Sequence, residues 1–108
     1  MARRVAWTET AWRDLEHVAD YISEDSPGYA AALVRRIRDR ARSLEELAER
    51  GRVVPELDDS TVRELVVGNY RLIYEIGETE VHVLGLIHGA RDLTTLWNPE
   101  ARSGPGEI

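Results

Sequence analysis

Apolar positions along the chain follow two different periods, with the change near Gly51. Ala11, Leu15, Val18 and Ile22, with Ala19 alongside, are spaced as one face of a helix. Thr8 stands where a side-chain cap would start that helix, and Glu9 follows where a carboxylate suits the helix dipole. Ser26-Pro27 pairs an N-cap serine with a proline at the first helical position. The stripe Ala30, Leu33, Ile37, Ala41, Leu44 and Ala48 then predicts a second helix reaching Ala48, with Gly51 placed to end it. A few residues separate the two, so they are expected to form an antiparallel hairpin. Before them, Arg3 to Trp7 suits one strand.

Beyond Gly51 the pattern alternates. Arg52-Val53-Val54-Pro55 reads as a short extended piece and Asp58-Asp59-Ser60 as a turn. Val62 to Val67, Tyr70 to Ile76 and Val81 to Ile87 read as strands rich in Val, Ile and Tyr. Gly68-Asn69 is a two-residue hairpin signal, and Gly77 to Glu80 connects the next pair, so these neighbours are antiparallel. With those loops, Val67 faces Tyr70, Leu65 faces Leu72, Tyr74 faces Val83 and Ile76 faces Val81. One sheet face then carries Leu65, Val67, Tyr70, Leu72, Tyr74, Ile76, Val81, Val83 and Ile87, and is expected to pack on the helices. The other carries Val62, Glu64, Val66, Arg71, Ile73, Glu75, His82, Leu84, Leu86 and His88. Apart from the C-terminal tail, no segment looks long enough to cover it. Apolar surface rimmed by charge often marks a partner site, although cross-strand pairing among Glu64, Arg71 and Glu75 would account for the charges alone.

A length of 108 residues fits one domain, here expected over residues 1–97 with a flexible tail at 98–108 that includes the turn-rich Ser103-Gly104-Pro105-Gly106. No apolar run approaches the ~20 residues of a membrane helix, and Met1-Ala2-Arg3-Arg4 leads into no signal segment. The absence of cysteine excludes disulfides and thiolate chemistry, and a cytoplasmic location is expected. Every basic residue is arginine, and the net charge is −6. Met1 to Gly51 holds nine arginines against ten acids, and Arg52 to Ile108 five against ten, or −1 and −5. That balance opposes general nucleic-acid binding. The densest basic run is Arg35, Arg36, Arg38, Arg40 and Arg42. It reads as a solvated helix face countered by Asp39, Glu45, Glu46 and Glu49, or as a docking surface for an acidic partner.

The sequence holds no Gly-rich phosphate loop, GxSxG or HExxH. His82 and His88 would lie about 20 Å apart at strand rise, too far to share a metal, and no metal or cofactor is expected. His17 reads as an isolated surface residue. His88-Gly89-Ala90-Arg91-Asp92 differs in grouping a histidine, an arginine and an acid at the end of the last strand. Arg71, mid-strand on the second face, is expected to serve recognition, its exposed ion pair contributing only ~0–1 kcal/mol.

Tyr70-Arg71-Leu72-Ile73-Tyr74-Glu75-Ile76, Val81 to Leu86 and His88-Gly89-Ala90-Arg91-Asp92 together resemble the RelE/ParE toxin superfamily. Trp7-Thr8, Ala11, Asp14-Leu15 and Tyr21-Ile22 are similar to its first helix. Gly51 to Leu57 and Arg63-Glu64-Leu65 resemble its ParE-like branch. The likeness runs from about Arg3 to Trp97. It implies an α+β fold in the order β-α-α-β-β-β, a strand and helical hairpin packed on a mainly antiparallel sheet. It also implies the toxin of a type II toxin–antitoxin module, neutralised by a cognate antitoxin. ParE-like members poison DNA gyrase, whereas RelE-like members cleave messenger RNA on the ribosome. A third possibility is an interaction module with an antitoxin interface and no cellular target. Arg71 and Arg91 match arginines that RelE-like enzymes use at the scissile phosphate, so a ribonuclease here would use Arg71, His88 and Arg91. Val62 and Glu64 stand where the RelE pattern has lysines, and Trp97 where it has a tyrosine. The departures favour the gyrase poison over the ribonuclease. The candidates for target or antitoxin binding are Arg63, Glu64, Val66, Arg71, Ile73, Leu84, Leu86, His88, Arg91 and Trp97.

Overall fold

Thr8 separates the first strand from the first helix. In the computed structural model, which describes residues 2–90, β1 spans Arg4–Trp7 and α1 spans Glu9–Ser23. The Thr8 hydroxyl accepts from the Ala11 amide at 3.1 Å, the expected N-cap. Helix α2 covers Pro27–Arg42 and begins with proline but without a side-chain hydrogen bond from Ser26. Burial compensates: Leu33 and Ile37 are at most 2% exposed, each stabilising by about 1.5–3 kcal/mol, more than the ~1 kcal/mol a cap contributes.

The expected extension of α2 to Ala48 does not occur. The Ser43 hydroxyl donates to the Arg40 carbonyl at 2.6 Å, a local bond that competes with helix continuation. Two short 3₁₀ turns, Ser43–Glu45 and Ala48–Arg50, follow. They still bury Leu44 and Ala48, which is why the apolar stripe reads as unbroken helix. Gly51 closes this region by allowing close approach. A Cβ there would lie 2.5 Å from both the Glu64 carbonyl oxygen and the Tyr74 hydroxyl. The Tyr74 hydroxyl instead accepts from the Gly51 amide at 2.9 Å and donates to the Ala48 carbonyl at 2.7 Å.

Strands β2 (Arg52–Val53), β3 (Val62–Val67), β4 (Tyr70–Ile76) and β5 (Glu80–His88) complete a five-stranded sheet ordered β1-β5-β4-β3-β2. Only the β1–β5 pair is parallel. Val67 pairs with Tyr70 around Gly68, which has φ of +60° while Asn69 does not enter positive φ, the pattern of a type II′ turn. Tyr74–Val83 and Ile76–Val81 pair as the sequence predicts.

The register then slips. Tyr74 opposes Val83 but Ile73 opposes Gly85, leaving Leu84 as an extra residue in a β-bulge. Beyond it Leu72 meets Leu86, Arg71 meets Ile87 and Tyr70 meets His88. The expected faces of Leu86, Ile87 and His88 are therefore reversed. Leu86 lies in the main core with Leu33, Ile37, Leu72 and Tyr74, under the helices. Ile87 lies on the second face.

That second face is not left to the tail. Val54 to Leu57 turns across it, with the Leu57 amide donating to the Val54 carbonyl at 3.1 Å. Val54, Val62, Ile73 and Leu84 form a second small core, each at most 3% exposed, with Leu57 and Ile87 against it. Val66 remains outside this cover at 56% exposed. Among the described residues no helix is long and apolar enough to cross a membrane.

Candidate functional site

Arg71 and Glu64 project from neighbouring strands onto the second face, because Arg71 pairs with Val66 and Glu64 with Ile73 two positions along. The turn after Val54 adds Glu56, and β2 adds Arg52. Arg71 donates from Nε to Glu64 Oε1 at 2.6 Å, and from Nη1 and Nη2 to the two Glu56 oxygens at 2.8 and 2.7 Å. The latter is the two-pronged geometry in which a guanidinium holds a carboxylate best. Glu64 also accepts from Arg52 Nε. Two arginines thus meet two carboxylates, and Arg71 is only 6% and Glu64 1% exposed. The Glu56 hydrogen bonds, reinforced by Glu64 and opposed by burial, push the Arg71 pKa above its ordinary range. Its charge is fixed, and it is matched from inside the molecule.

Arg71 is therefore not the exposed recognition residue that its strand position suggested. Nor does it meet His88. Arg71 points to the second face, whereas His88 shares the helix-side face with Tyr70, their rings edge-on at 5.6 Å. The His88 Nδ1 accepts from the Ala90 amide at 3.2 Å. Arg63 also lies on the helix side, where it donates to the carbonyls of Ser60, Glu49 and Gly51 and ties β3 to the preceding turn. Ile73 and Leu84 are buried in the second small core and Leu86 in the main one. Val66 is the exposed aliphatic among these candidates. Arg91, Trp97 and the 98–108 segment lie outside the described residues.

Two members of the ionic network, Arg52 and Glu56, escaped the sequence reading. Their signal was there: they flank Val53-Val54-Pro55, an apolar segment too short to stand alone. Among the described residues no group of three His, Asp or Glu side chains is placed to hold a metal ion.

Across the helices the surface differs. The Trp7 and Trp12 rings stack at 5.0 Å with an interplanar angle of 25°, and the Arg38 guanidinium sits 5.9 Å from the Trp12 ring centre. Trp12 is 42% exposed. These side chains line a groove between β1, α1 and the end of α2.

Residues 5–93 match the family described as the ParE toxin of the type II toxin–antitoxin system parDE. The chain is 39% identical over 89 residues to Toxin RelE2 of Caulobacter vibrioides, covering 82% of this chain and 97% of that protein. In fold it is similar to a solved chain of the chromosomal ParDE system of P. aeruginosa, with a TM-score of 0.68 at 21% identity, covering 81% and 96% of the two chains. It is also similar to one from the RelBE2 toxin–antitoxin complex of Mycobacterium tuberculosis, with a TM-score of 0.60 at 24% identity, covering 82% and 99%. By this family match and this relative, the chain belongs to the ParE toxin family of type II toxin–antitoxin systems, within the RelE/ParE superfamily.

Proposed function

We propose that the chain is a cytoplasmic toxin silenced by an antitoxin, and that once released it binds DNA gyrase and traps the enzyme with its DNA cleaved. One relation carries the choice over RNA cleavage: Arg71 and His88 lie on opposite faces of the sheet. A ribonuclease needs a phosphate-stabilising cation and an acid or base converging on the same few ångströms. Here the cation is also clamped. A scissile phosphate reaching Arg71 would have to displace the two-pronged Glu56 carboxylate and approach the buried Glu64. Trapping a target enzyme asks only for a complementary surface, so the static, internally neutralised network does not obstruct it.

The test uses purified chain, gyrase and relaxed plasmid. The expected result is loss of supercoiling or accumulation of cleaved DNA, relieved by the antitoxin, with no cutting of messenger RNA on programmed ribosomes. His88→Ala should leave gyrase inhibition within a few-fold of wild type. Ribosome-dependent cleavage that falls roughly 100-fold in His88→Ala, with gyrase unaffected, would overturn the proposal in favour of the ribonuclease.

A further inference from the structure

Helix α2 carries five arginines and, in Asp39, a single acid, within a chain of net charge −6. Between positions 35 and 42 its exposed residues are Arg35, Arg36, Arg38, Asp39 and Arg42, all of them charged. Leu33, Ile37 and Ala41 hold the opposite side of the helix in the main core, so these arginines are turned outward together. None of the α2 arginines takes part in an ion pair among the described residues; the pairs that form there involve Arg4, Arg13, Arg52, Arg71 and His82. Arg38 has a partner of another kind, the Trp12 ring, which holds its guanidinium in place at the surface.

What this patch lacks decides the kind of partner it suits. The core of a protein–protein interface is depleted in charge, and α2 exposes no aliphatic or aromatic side chain between 35 and 42. A nucleic-acid backbone asks for no such core: its interfaces are polar and strongly positive, and most of the contacts go to phosphate and sugar. Arginine can grip a phosphate with two parallel N–H donors. From Arg35 to Arg42 the helix rises about 10 Å at 1.5 Å per residue, which spans about three phosphates of one DNA strand at 3.4 Å each. Four exposed arginines are still fewer than the roughly 6–10 phosphate contacts of a protein that binds DNA by itself. The patch is therefore sized to add to a complex in which another protein already holds the duplex.

The geometry points to a DNA-contact face: Arg35, Arg36, Arg38 and Arg42 bind the phosphate backbone of the duplex held by gyrase, so that the chain bridges enzyme and DNA in the trapped state. The inference rests on the gyrase reading above and adds to it a second partner and the surface that meets it. Charge complementarity selects this occupant, and the absence of an apolar centre sets it above an acidic protein surface. Asp39 stands within the patch and opposes the contact, which makes its removal informative. The acidic balance of the whole chain is no obstacle, because the contact is local and gyrase supplies the rest of the hold on DNA.

The experiment measures binding of the full chain to gyrase alone and to gyrase on plasmid DNA, over a range of salt. Arg35→Gln with Arg42→Gln should weaken binding to the gyrase–DNA complex at least about tenfold, the scale of one lost charge-assisted hydrogen bond. It should also lower the slope of log affinity against log salt by about 2, roughly one per phosphate contact removed. Binding to gyrase alone should stay within about twofold of wild type, and Asp39→Ala should strengthen binding to the complex by about twofold or more. Both variants should melt within a few degrees of wild type, since the side chains they change are exposed and make no ion pair. The chain has no cysteine, so Asp39→Cys carrying a short photo-crosslinker reports what lies against the patch, and it should join to DNA. Equal binding of wild type and the double variant to the complex, at an unchanged salt slope, would overturn the inference and leave the gyrase reading intact. An equal loss on gyrase alone, with crosslinks to gyrase subunits and none to DNA, would give the patch to an acidic protein surface and overturn the DNA assignment. A wild-type chain that binds neither form of gyrase would overturn both readings.

Discussion

Truncating Arg71 to alanine separates a structural role from a recognition role. The substitution removes both hydrogen bonds to Glu56 and the Nε bond to Glu64. The Glu64 side chain has no exposed area and would keep only Arg52, whose own side chain is 66% exposed. Breaking a buried ion pair by removing one partner costs about 3–5 kcal/mol. Glu56 is a fifth exposed and can turn to water, so the lower end, about 3 kcal/mol, applies. Against a total of roughly 5–15 kcal/mol for such a domain, that is a large fraction. The melting temperature should fall by about 12–24 °C. Urea unfolding followed by circular dichroism should show a lower midpoint at unchanged slope. Adding Glu64→Ala to Arg71→Ala should cost less than the sum of the two single changes, by about 1–3 kcal/mol, because the stranded carboxylate is gone. A loss under 1 kcal/mol in Arg71→Ala, with strictly additive behaviour, would refute the reasoning and restore Arg71 to the exposed surface.

Tyr74→Phe should cost about 2 kcal/mol in the same assay, since it leaves the buried Gly51 amide and Ala48 carbonyl without the hydroxyl that joins them; near-neutrality would mean the 48–51 turn holds itself. Asp59 accepts from both the amide and the hydroxyl of Thr61, and these bonds hold its pKa below the ordinary 3.8. A carboxyl depressed in the folded state adds stability that is present above 3.8 and lost as pH falls through the lower folded value. An NMR titration should place the Asp59 midpoint below 3.8, and Asp59→Asn should remove a contribution of under ~1 kcal/mol from the acid limb of the stability profile.

Much of this fold is legible from residue types alone, because the governing interactions are local. Thr8 caps its own helix, Gly68 sets its own hairpin, and the loop lengths around Val67–Tyr70 and Ile76–Val81 fix those registers. The bulge is harder to read. Leu84, Leu86 and Ile87 are all aliphatic, so sliding the strand by one residue leaves an equally apolar pattern. The available sign was Gly85, since glycine inside a strand often marks a bulge. The ionic network escapes for another reason. Glu56 lies 15 residues from Arg71, on a segment whose path across the sheet depends on Val54 and Leu57 finding the second apolar cluster. An alternation pattern shows that Arg71 shares a face with Glu64; it does not show what crosses above them. The same limit applies to the Trp12 groove, where β1, α1 and α2 meet only in three dimensions.

Strand β5 outruns its neighbour. Strand β1 ends at Trp7, opposite Val83, and β5 continues to His88. The start of α1 serves as a substitute. The Thr8 amide donates to the Val83 carbonyl at 3.0 Å, the Thr8 hydroxyl to the Leu84 carbonyl at 3.4 Å, and Asp14 Oδ2 accepts from the Leu86 amide at 3.0 Å. An uncovered strand edge invites other chains to add to it. Here the start of α1 takes up the backbone groups of β5 that β1 is too short to reach. At the opposite margin β2 is only two residues long, too brief to template a neighbour. The cap thus closes the stretch of β5 that β1 does not reach, while the sheet's outer edges are its two shortest strands, β1 of four residues and β2 of two, each offering few backbone groups to a neighbouring chain.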